Sequence, residues 1–539
     1  MNTQEPKKRP VSPISEAGVL NNRTGSWRYL RPSYEEKRAP CIAACPAGER
    51  VEEWIRLLEQ ERYAKAWRLI KTTNPLPRVC GRVCFHPCEA DCNRGHYDRP
   101  VAIHSLERFV SDHARSIDTL ERPRVEKSGK RIGVVGSGPA GLACAYHLAL
   151  RGHDAVVYEA ETELGGLLRH GIPAYRLPKD VLNEEIEDIL ALGIDVRTGV
   201  RVEDFEELRA THDAVFVATG LGVSKRLGIP GEAGEGVMSA LDFLNRVNSG
   251  AAPELRGKVV IVGGGNAAID AARAAVRLGE APTILYRRSR EEMPAYPPEV
   301  EEAEREGVAI HFLAEPVEII RENGRPILLE CVRNQLGEID KDGRKKPIAI
   351  KGSNFFVEAS AVIVAIGEGP ETTFSELYQS KSSNVFFGGD LIVPQRTVAH
   401  AIGSGRRAAM EIDRCLGGCG QDPAGVMEGP VVRFEDINID YFVRTPRARV
   451  PMLSLGERQG NFSEVCLGLE PSAALEEAGR CFHCGACISC DNCFDLCPDI
   501  AVRKTTDGRY LIDYDYCKGC GICVHECPRN AMSIAEEDK

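Results

Sequence analysis

A run of Ile and Val at Arg131–Val135 breaks into Gly136-Ser137-Gly138-Pro139-Ala140-Gly141, and an apolar helical pattern at Leu142, Ala145, Leu148 and Ala149 follows. A second strand, Asp154–Tyr158, comes next and runs straight into Glu159. Strand, glycine turn, helix, strand and acid in that order make a dinucleotide site. The first glycine permits the tight turn, the second lets backbone N–H groups approach a pyrophosphate, and the third lets helix and strand pack closely. The pyrophosphate then sits at the helix N-terminus, and Glu159 can accept from a ribose hydroxyl. An ordinary glycine loop between strand and helix would leave that acid unexplained.

The pattern recurs. Val259–Val262 leads into Gly263-Gly264-Gly265-Asn266-Ala267-Ala268, a helix to about Leu278 and the strand Thr283–Tyr286. The third small residue is Ala268, which the pattern permits. Here the second strand ends in Arg287-Arg288-Ser289-Arg290 instead of an acid, which suits a 2′-phosphate and so NADPH over NADH. The plainer alternative is a solvated basic turn. A strand at residues 360–367 closes this unit, and residues 384–390 with a helix start at Thr397 return to the first. One nucleotide domain is therefore interrupted by another, in a multidomain α/β chain with two Rossmann-like units of glutathione-reductase type. The expected spans are 126–255 and 371–420 for the first domain and 256–370 for the second.

Cysteines constrain the rest. Cys487-x-x-Cys490-x-x-Cys493-x-x-x-Cys497-Pro498 repeats as Cys517-x-x-Cys520-x-x-Cys523-x-x-x-Cys527-Pro528 with a period of 30 residues. Each is the bacterial run for a 4Fe–4S cluster, in which the fourth cysteine serves the other cluster. One cluster then takes Cys487, Cys490, Cys493 and Cys527, and the other Cys517, Cys520, Cys523 and Cys497. Zinc also uses Cys-x-x-Cys pairs, but two identical runs each closed by proline favour iron and sulfide. Nearer the N-terminus Cys41, Cys45, Cys80, Cys84, Cys88 and Cys92 lie among helical patterns, with Val51, Trp54, Ile55 and Leu58 on one face and Leu106, Phe109 and Val110 on another. Their spacing allows one cluster, two clusters sharing ligands, or zinc. Cys144, Cys331, Cys415, Cys419 and Cys466 have no partner pattern and read as core or surface thiols.

The 539 residues allow three or four domains. Beyond the nucleotide units these are an extended or partly disordered arm at 1–40, a helical domain at 41–125, a linker at 421–480 and a ferredoxin module at 481–539. A net charge of −11 argues against nucleic acid as a partner. No apolar run reaches the length of about 18 residues that a membrane span needs. The first ten residues are charged without an apolar core, so no secretory signal is expected. With 21 cysteines and no export signal, metal is favoured over disulfides and a reducing cytoplasm is expected.

The chain resembles the NADPH-dependent glutamate synthase small subunit and its relatives, including the N-terminal half of dihydropyrimidine dehydrogenase. The resemblance covers about residues 41–480, with a two-cluster ferredoxin module after it. It rests on Asn74-Pro-Leu-Pro-Arg-Val-Cys80-Gly-Arg-Val-Cys84, the triplet at 136–141, Gly165-Gly166-Leu167 with Gly171-Ile-Pro173, Gly263-Gly-Gly-Asn266-Ala-Ala-Ile-Asp270, Tyr286-Arg-Arg288 with Met293-Pro-Ala295, and Gly389-Asp390. It implies FAD in the first nucleotide site, NADPH in the second and 4Fe–4S clusters in the helical domain. FAD would be held by residues 136–141, Glu159, Gly166, Leu167, Thr219, Gly220, Gly389 and Asp390, with Thr397, Val398 and Ala399 opening a helix near the ring. By the same resemblance Cys45, Cys84 and Cys88 share a cluster with the carboxylate of Glu107, which otherwise reads as a surface helix residue, and Cys80 is the substitute ligand. The family usually carries a Cys-x-x-Cys just before the position of Cys41, where this chain reads Lys37-Arg38-Ala39-Pro40. A similar phrase, Glu477-Ala-Gly-Arg-Cys481-Phe-His-Cys484, stands before the ferredoxin module, which needs only eight of the ten C-terminal cysteines. Cys481 and Cys484 are therefore expected to fold back, or to reach across a dimer, and complete a cluster with Cys41 and Cys92.

NAD(P)H gives two electrons together and an iron–sulfur cluster takes one, so a flavin belongs between them. No general acid or base is expected, and His147, His170 and His400 read as structural. The expected acceptor is a ferredoxin or a larger redox enzyme, by resemblance of the glutamate synthase, 2-oxoacid:ferredoxin oxidoreductase or sulfite reductase type. Making glutamate itself is excluded, because the amidotransferase and FMN barrel are missing. The alternatives are a stand-alone reductase of a small molecule or metal ion, and a redox-sensing scaffold.

Overall fold

Arg131–Val135 is the middle strand of a five-stranded parallel sheet, flanked by Ala214–Val217 and Asp154–Tyr158, with Val385–Phe387 and Asp195–Arg197 at the edges. The computed structural model describes residues 23–115, 125–255, 257–340, 343–371, 384–422, 425 and 429–537. Helices cover both faces of a parallel sheet, which is why the two central strands are buried and apolar once past the exposed Arg131. Val385–Phe387 joins this sheet after an excursion of more than a hundred residues, so the first nucleotide unit is indeed split. The excursion holds a second parallel sheet in the order Ala309–Phe312, Thr283–Tyr286, Val259–Val262, Ala361–Val364, Val237–Ser239.

Beside that sheet stands a four-stranded antiparallel sheet, Ala314–Glu322, Arg325–Ile339, Lys345–Ala349 and Phe355–Glu358. The sequence reading passed over it, although its hairpin turn is Asn323-Gly324, with both residues at positive φ. Asn-Gly is the pair a type I′ turn favours, and it was the available signal.

The cysteine-bearing helices form their own core. Trp54, Ile55, Leu58, Trp67, Leu106 and Phe109 meet there, and each such buried side chain is worth on the order of 2 kcal/mol over exposure. The segment expected as a linker completes this core, with Val432, Ile437, Leu469, Ala474 and Ala478 packed into it, and Phe482 joins them from the start of the expected ferredoxin module. Glu477 pins the segment from inside, its carboxylate accepting from the N–H groups of Ala102 (2.8 Å) and Ala448 (2.6 Å) and from Arg480 (2.6 Å). Helix Val398–Cys415 wedges between this domain and the first nucleotide unit. A Cβ at Gly403 would overlap the carbonyl of Pro46, and one at Gly405 that of Ala140, so only bare backbone fits at these two crossings.

The C-terminal module shows its repeat in the backbone. Ser489, Asp491 and Ile500 have positive φ, and so do Gly519, Gly521 and Asn530 in the equivalent places of the second repeat. Val502–Lys504 pairs with Tyr510–Ile512, whereas Met532–Glu536 pairs with Leu30–Tyr34 from the other end of the chain. Residues 30–34 of the expected loose arm are thus a strand. This strand and Met532–Glu536 make a two-stranded sheet of their own, in which each satisfies backbone N–H and C=O groups of the other. Arg28 locks the junction by a bidentate pair with Glu537, both distances 2.6 Å. Residues 1–22 of the expected arm lie outside the described residues.

Candidate redox centres

Both glycine turns open on one cavity of about 1330 Å³. Gly136, Ser137, Gly138, Pro139 and Ala140 form part of its wall, as do Gly263, Gly264, Gly265, Asn266 and Ala267. Glu159, Gly166, Leu167, Thr219, Gly220, Gly389, Asp390, Thr397 and Val398 also line it. Gly141, Ala268 and Ala399 do not line it but pack behind. A Cβ at Gly141 would overlap the Gly136 carbonyl, which is the close packing expected of the third small residue. At Gly136, φ is +100° and a Cβ would lie 2.6 Å from the Ala218 carbonyl oxygen, so the tight turn needs glycine.

Helices Pro139–Ala149, Asn266–Arg277 and Val398–Cys415 all begin at this wall. Their free N–H groups and positive dipole ends favour anions there. Along the wall at Gly138 and Gly265 a Cβ would meet nothing within 4 Å, and the buried Thr219 hydroxyl has no hydrogen-bond partner. Glu159 is held in place, one carboxylate oxygen accepting from the Ser137 N–H (2.9 Å) and hydroxyl (2.5 Å), the other from the Glu161 N–H (3.0 Å). Burial pushes the Asp390 carboxyl up, against the pull of Arg396. Bare backbone, helix starts and an orphan hydroxyl fit dinucleotide phosphates and riboses. The volume exceeds the roughly 300–1,000 Å³ of a single small-molecule site, leaving room for two dinucleotides.

The two arginines differ. Both line the cavity, but Arg288 is buried, with Asp340 at 2.6 Å and the Lys345 carbonyl at 2.8 Å, so its charge already has a carboxylate partner. Arg287 is half exposed on the cavity wall, 3.9 Å from Glu315. Arg344, which the sequence reading did not single out, lines the same cavity from the antiparallel insertion. Arg287→Ala is expected to raise the KM for NADPH by about tenfold or more, the worth of one charge-assisted hydrogen bond, and to leave NADH little changed. Steady-state rates with each nucleotide check this, and equal losses would remove the phosphate assignment.

The cysteines gather in four groups. In the C-terminal module one small cavity is lined by Cys487, Cys490, Cys493 and Cys527, and another by Cys497, Cys517, Cys520 and Cys523. The fourth cysteine of each run sits with the other run's first three. Matching backbone donors point at the crossing sulfurs: Ala501 N–H to Cys497 Sγ and Ala531 N–H to Cys527 Sγ, both 3.3 Å. In the helical domain Cys41 is buried, which raises its thiol, and the neighbours that add to the effect are Cys92, Cys481, Cys484 and Glu52. Cys481 and Cys484 therefore reach this domain within one chain. Cys92 is pushed up to about 11 by burial and by Cys481. The loop between Cys481 and Cys484 is fastened by His483, which bonds Glu52 (2.8 Å) and Glu59 (3.0 Å).

Cys45, Cys84 and Cys88 form the fourth group. Burial raises all three thiols, Cys45 to about 12, and Glu107 adds to the rise at Cys45 and Cys84. Glu107 is buried, not a surface residue, and Cys80 lies beside it. Burial and the charge of Glu49 push the Glu107 carboxyl up, and Asn74 donates to both carboxylates, at 2.8 and 3.1 Å. Sequence reasoning missed Glu49, whose only signal was an acid four residues from Cys45. Thiols buried this deeply stay protonated unless a bound cation offsets the thiolate charge, as iron in a cluster does. Among the described residues no three His, Cys, Asp or Glu side chains converge tightly enough for a single ion, which a cubane with its thiolates at separate corners does not require. The crossed sets of four cysteines fit 4Fe–4S clusters.

Residues 130–401 match the family model described as pyridine nucleotide-disulphide oxidoreductase. The chain belongs to this family. In this oxidoreductase residues 34–119 further match dihydropyrimidine dehydrogenase domain II, 4Fe-4S cluster, and residues 510–533 match a 4Fe-4S binding domain. The oxidoreductase is 37% identical to the NADP(+)-dependent formate dehydrogenase subunit beta of Moorella thermoacetica, over 83% of this chain and 70% of that one. It is 36% identical to the NADPH-Fe(3+) oxidoreductase subunit beta of Geobacter sulfurreducens, over 83% and 75%. With the glutamate synthase (NADPH) small chain of Escherichia coli it shares 33% identity over 68% of this chain and 87% of that one. The oxidoreductase is thus an NAD(P)H-dependent flavin and iron–sulfur enzyme, with FAD, NADPH and 4Fe–4S clusters as cofactors. Among its described residues no helix is long and apolar enough to cross a membrane.

Proposed function

We propose that this oxidoreductase is the electron-input subunit of a larger redox enzyme, oxidising NADPH at the shared cavity and delivering single electrons to a partner at the C-terminal module. Bound at the cavity, a flavin would supply the change from a two-electron hydride donor to single electrons, the form that 4Fe–4S clusters carry, with the proton left to solvent. The chain's own part is to hold the groups in a line. One observation carries the reading: each of the four cysteine groups has the next one as a neighbour. Val83 and Phe85, on either side of Cys84, line the nucleotide cavity. Cys88 has Cys45, Cys84 and Cys41 among its neighbours, and Cys41 has Cys481 and Cys484. Cys481 and Cys487 line one further cavity, Cys523 has Cys493 nearby, and Cys490 and Cys520 are exposed. We assign Cys45, Cys84, Cys88 and Glu107 to one cluster, Cys41, Cys92, Cys481 and Cys484 to the next, and the two crossed sets to the last two. Relatives named as subunits of a formate dehydrogenase and a glutamate synthase support a partner of that kind.

Cys45→Ala with Cys84→Ala is expected to leave bleaching of the flavin by NADPH intact. Reduction of the C-terminal clusters, followed by EPR after rapid freezing, should slow by about 100-fold or more, since one carrier is missing from the line. Unslowed reduction would show that electrons take another route. Anaerobic copurification identifies the partner, and full turnover with ferric ion by the isolated chain would favour the stand-alone reading.

A further inference from the structure

The two cysteine sets of the C-terminal module come from a repeat, so their surroundings should be near twins. They are not: Asp499 after one Cys-Pro stands where Arg529 follows the other, and the N-terminal strand adds a second difference. Tyr34 closes that strand, and its hydroxyl lies 3.2 Å from Cys493 Sγ, a hydrogen bond across 459 residues of sequence. Its ring is stacked against Tyr510 at 6.2 Å, with the rings 26° apart, which fixes where the hydroxyl points. Tyr510 is bonded elsewhere, donating to Asp491 at 2.6 Å. Three residues on, the Lys37 ammonium is buried and bonds Asn530 Oδ1 (2.8 Å) and the Met532 carbonyl (2.9 Å), with Cys527 of the same set among the charges it feels. Near the other set the same arm places Arg28, which donates to the Cys517 carbonyl at 3.1 Å while its charge is matched by Glu537, and Pro32, which lines its cavity without a donor.

We infer that Tyr34 is a positioning residue that raises the reduction potential of the cluster on Cys487, Cys490, Cys493 and Cys527 above that of its twin. One-electron reduction adds a negative charge shared with the four thiolates. A phenol donating to one of them stabilises the reduced form more than the oxidised one. Lys37 acts in the same direction through its charge. The favoured cluster is the one next to Cys481, so the strand makes it the better acceptor for electrons arriving from the helical domain. The inference rests on the crossed ligand sets assigned above.

The test is a redox titration of the reconstituted full chain followed by EPR. Tyr34→Phe keeps the ring and its stacking and removes only the donor. The midpoint of one C-terminal cluster should move negative while its twin stays in place and iron content is unchanged. A fluorotyrosine in place of Tyr34, a stronger donor, should move the same midpoint positive. Midpoints that stay put in both variants, or that move together, overturn the inference, as does loss of iron in Tyr34→Phe with no positive shift for fluorotyrosine. Failure of the ligand assignment looks different: Cys493→Ala would then leave the iron of the unaltered Tyr34 protein in place.

Discussion

Replacing Gly263 by valine is expected to abolish NADPH oxidation while FAD stays bound. Gly263 has φ +143°, where side chains are strained, and its N–H is bonded to the Leu285 carbonyl at 3.0 Å. A Cβ there would overlap the carbonyl of Ala365, at the end of strand Ala361–Val364. Both clashing groups are backbone of adjacent strands in one sheet, so neither can swing aside. The turn must open, and with it the row of N–H groups at the start of helix Asn266–Arg277. Affinity for NADP+ should fall by about 100-fold or more, some 2.7 kcal/mol, by calorimetric titration. The first sheet is a separate unit, so flavin absorbance per chain should be unchanged. Loss of flavin along with the nucleotide would mean that the two units are not independent.

Cys481→Ala with Cys484→Ala should lower the iron content of the reconstituted chain from about sixteen to about twelve atoms, one 4Fe–4S cluster being lost. Cys41 and Cys92 alone cannot hold a cubane. They would be left as two buried thiols, both already pushed up by burial. The C-terminal clusters should remain, because their eight cysteines line other cavities. NADPH would still bleach the flavin, and electrons should fail to reach those clusters. Retention of all the iron would end the assignment of these two cysteines.

Local patterns carried most of what the sequence could tell. The two glycine turns, the strands before them and the cysteine runs are each legible within about thirty residues, since period, turn chemistry and ligand spacing are short-range properties. What escaped was set by distant partners. Nothing between Leu30 and Tyr34 says that Met532–Glu536 is their neighbour, because strand pairing depends on an edge built elsewhere. Nothing near Arg288 in sequence says that Asp340, just past a strand of the inserted sheet, pairs with it. Residues 421–480, with several Pro, Gly and Arg residues, read as a linker, yet apolar residues among them enter another domain's core. Glu49 gives no sign of being buried, since its partner Asn74 is brought to it by the packing of helices.

Leu30–Tyr34 can find its place only after Met532–Glu536 has left the ribosome, and Cys41 must wait almost as long for Cys484. Domains usually fold in the order in which they emerge. Here segments about 440 residues apart are sewn together, so iron loading of the second helical-domain site has to wait until Cys484 has emerged. A nascent chain stalled before residue 481 should take up flavin yet lack three of the four cubanes.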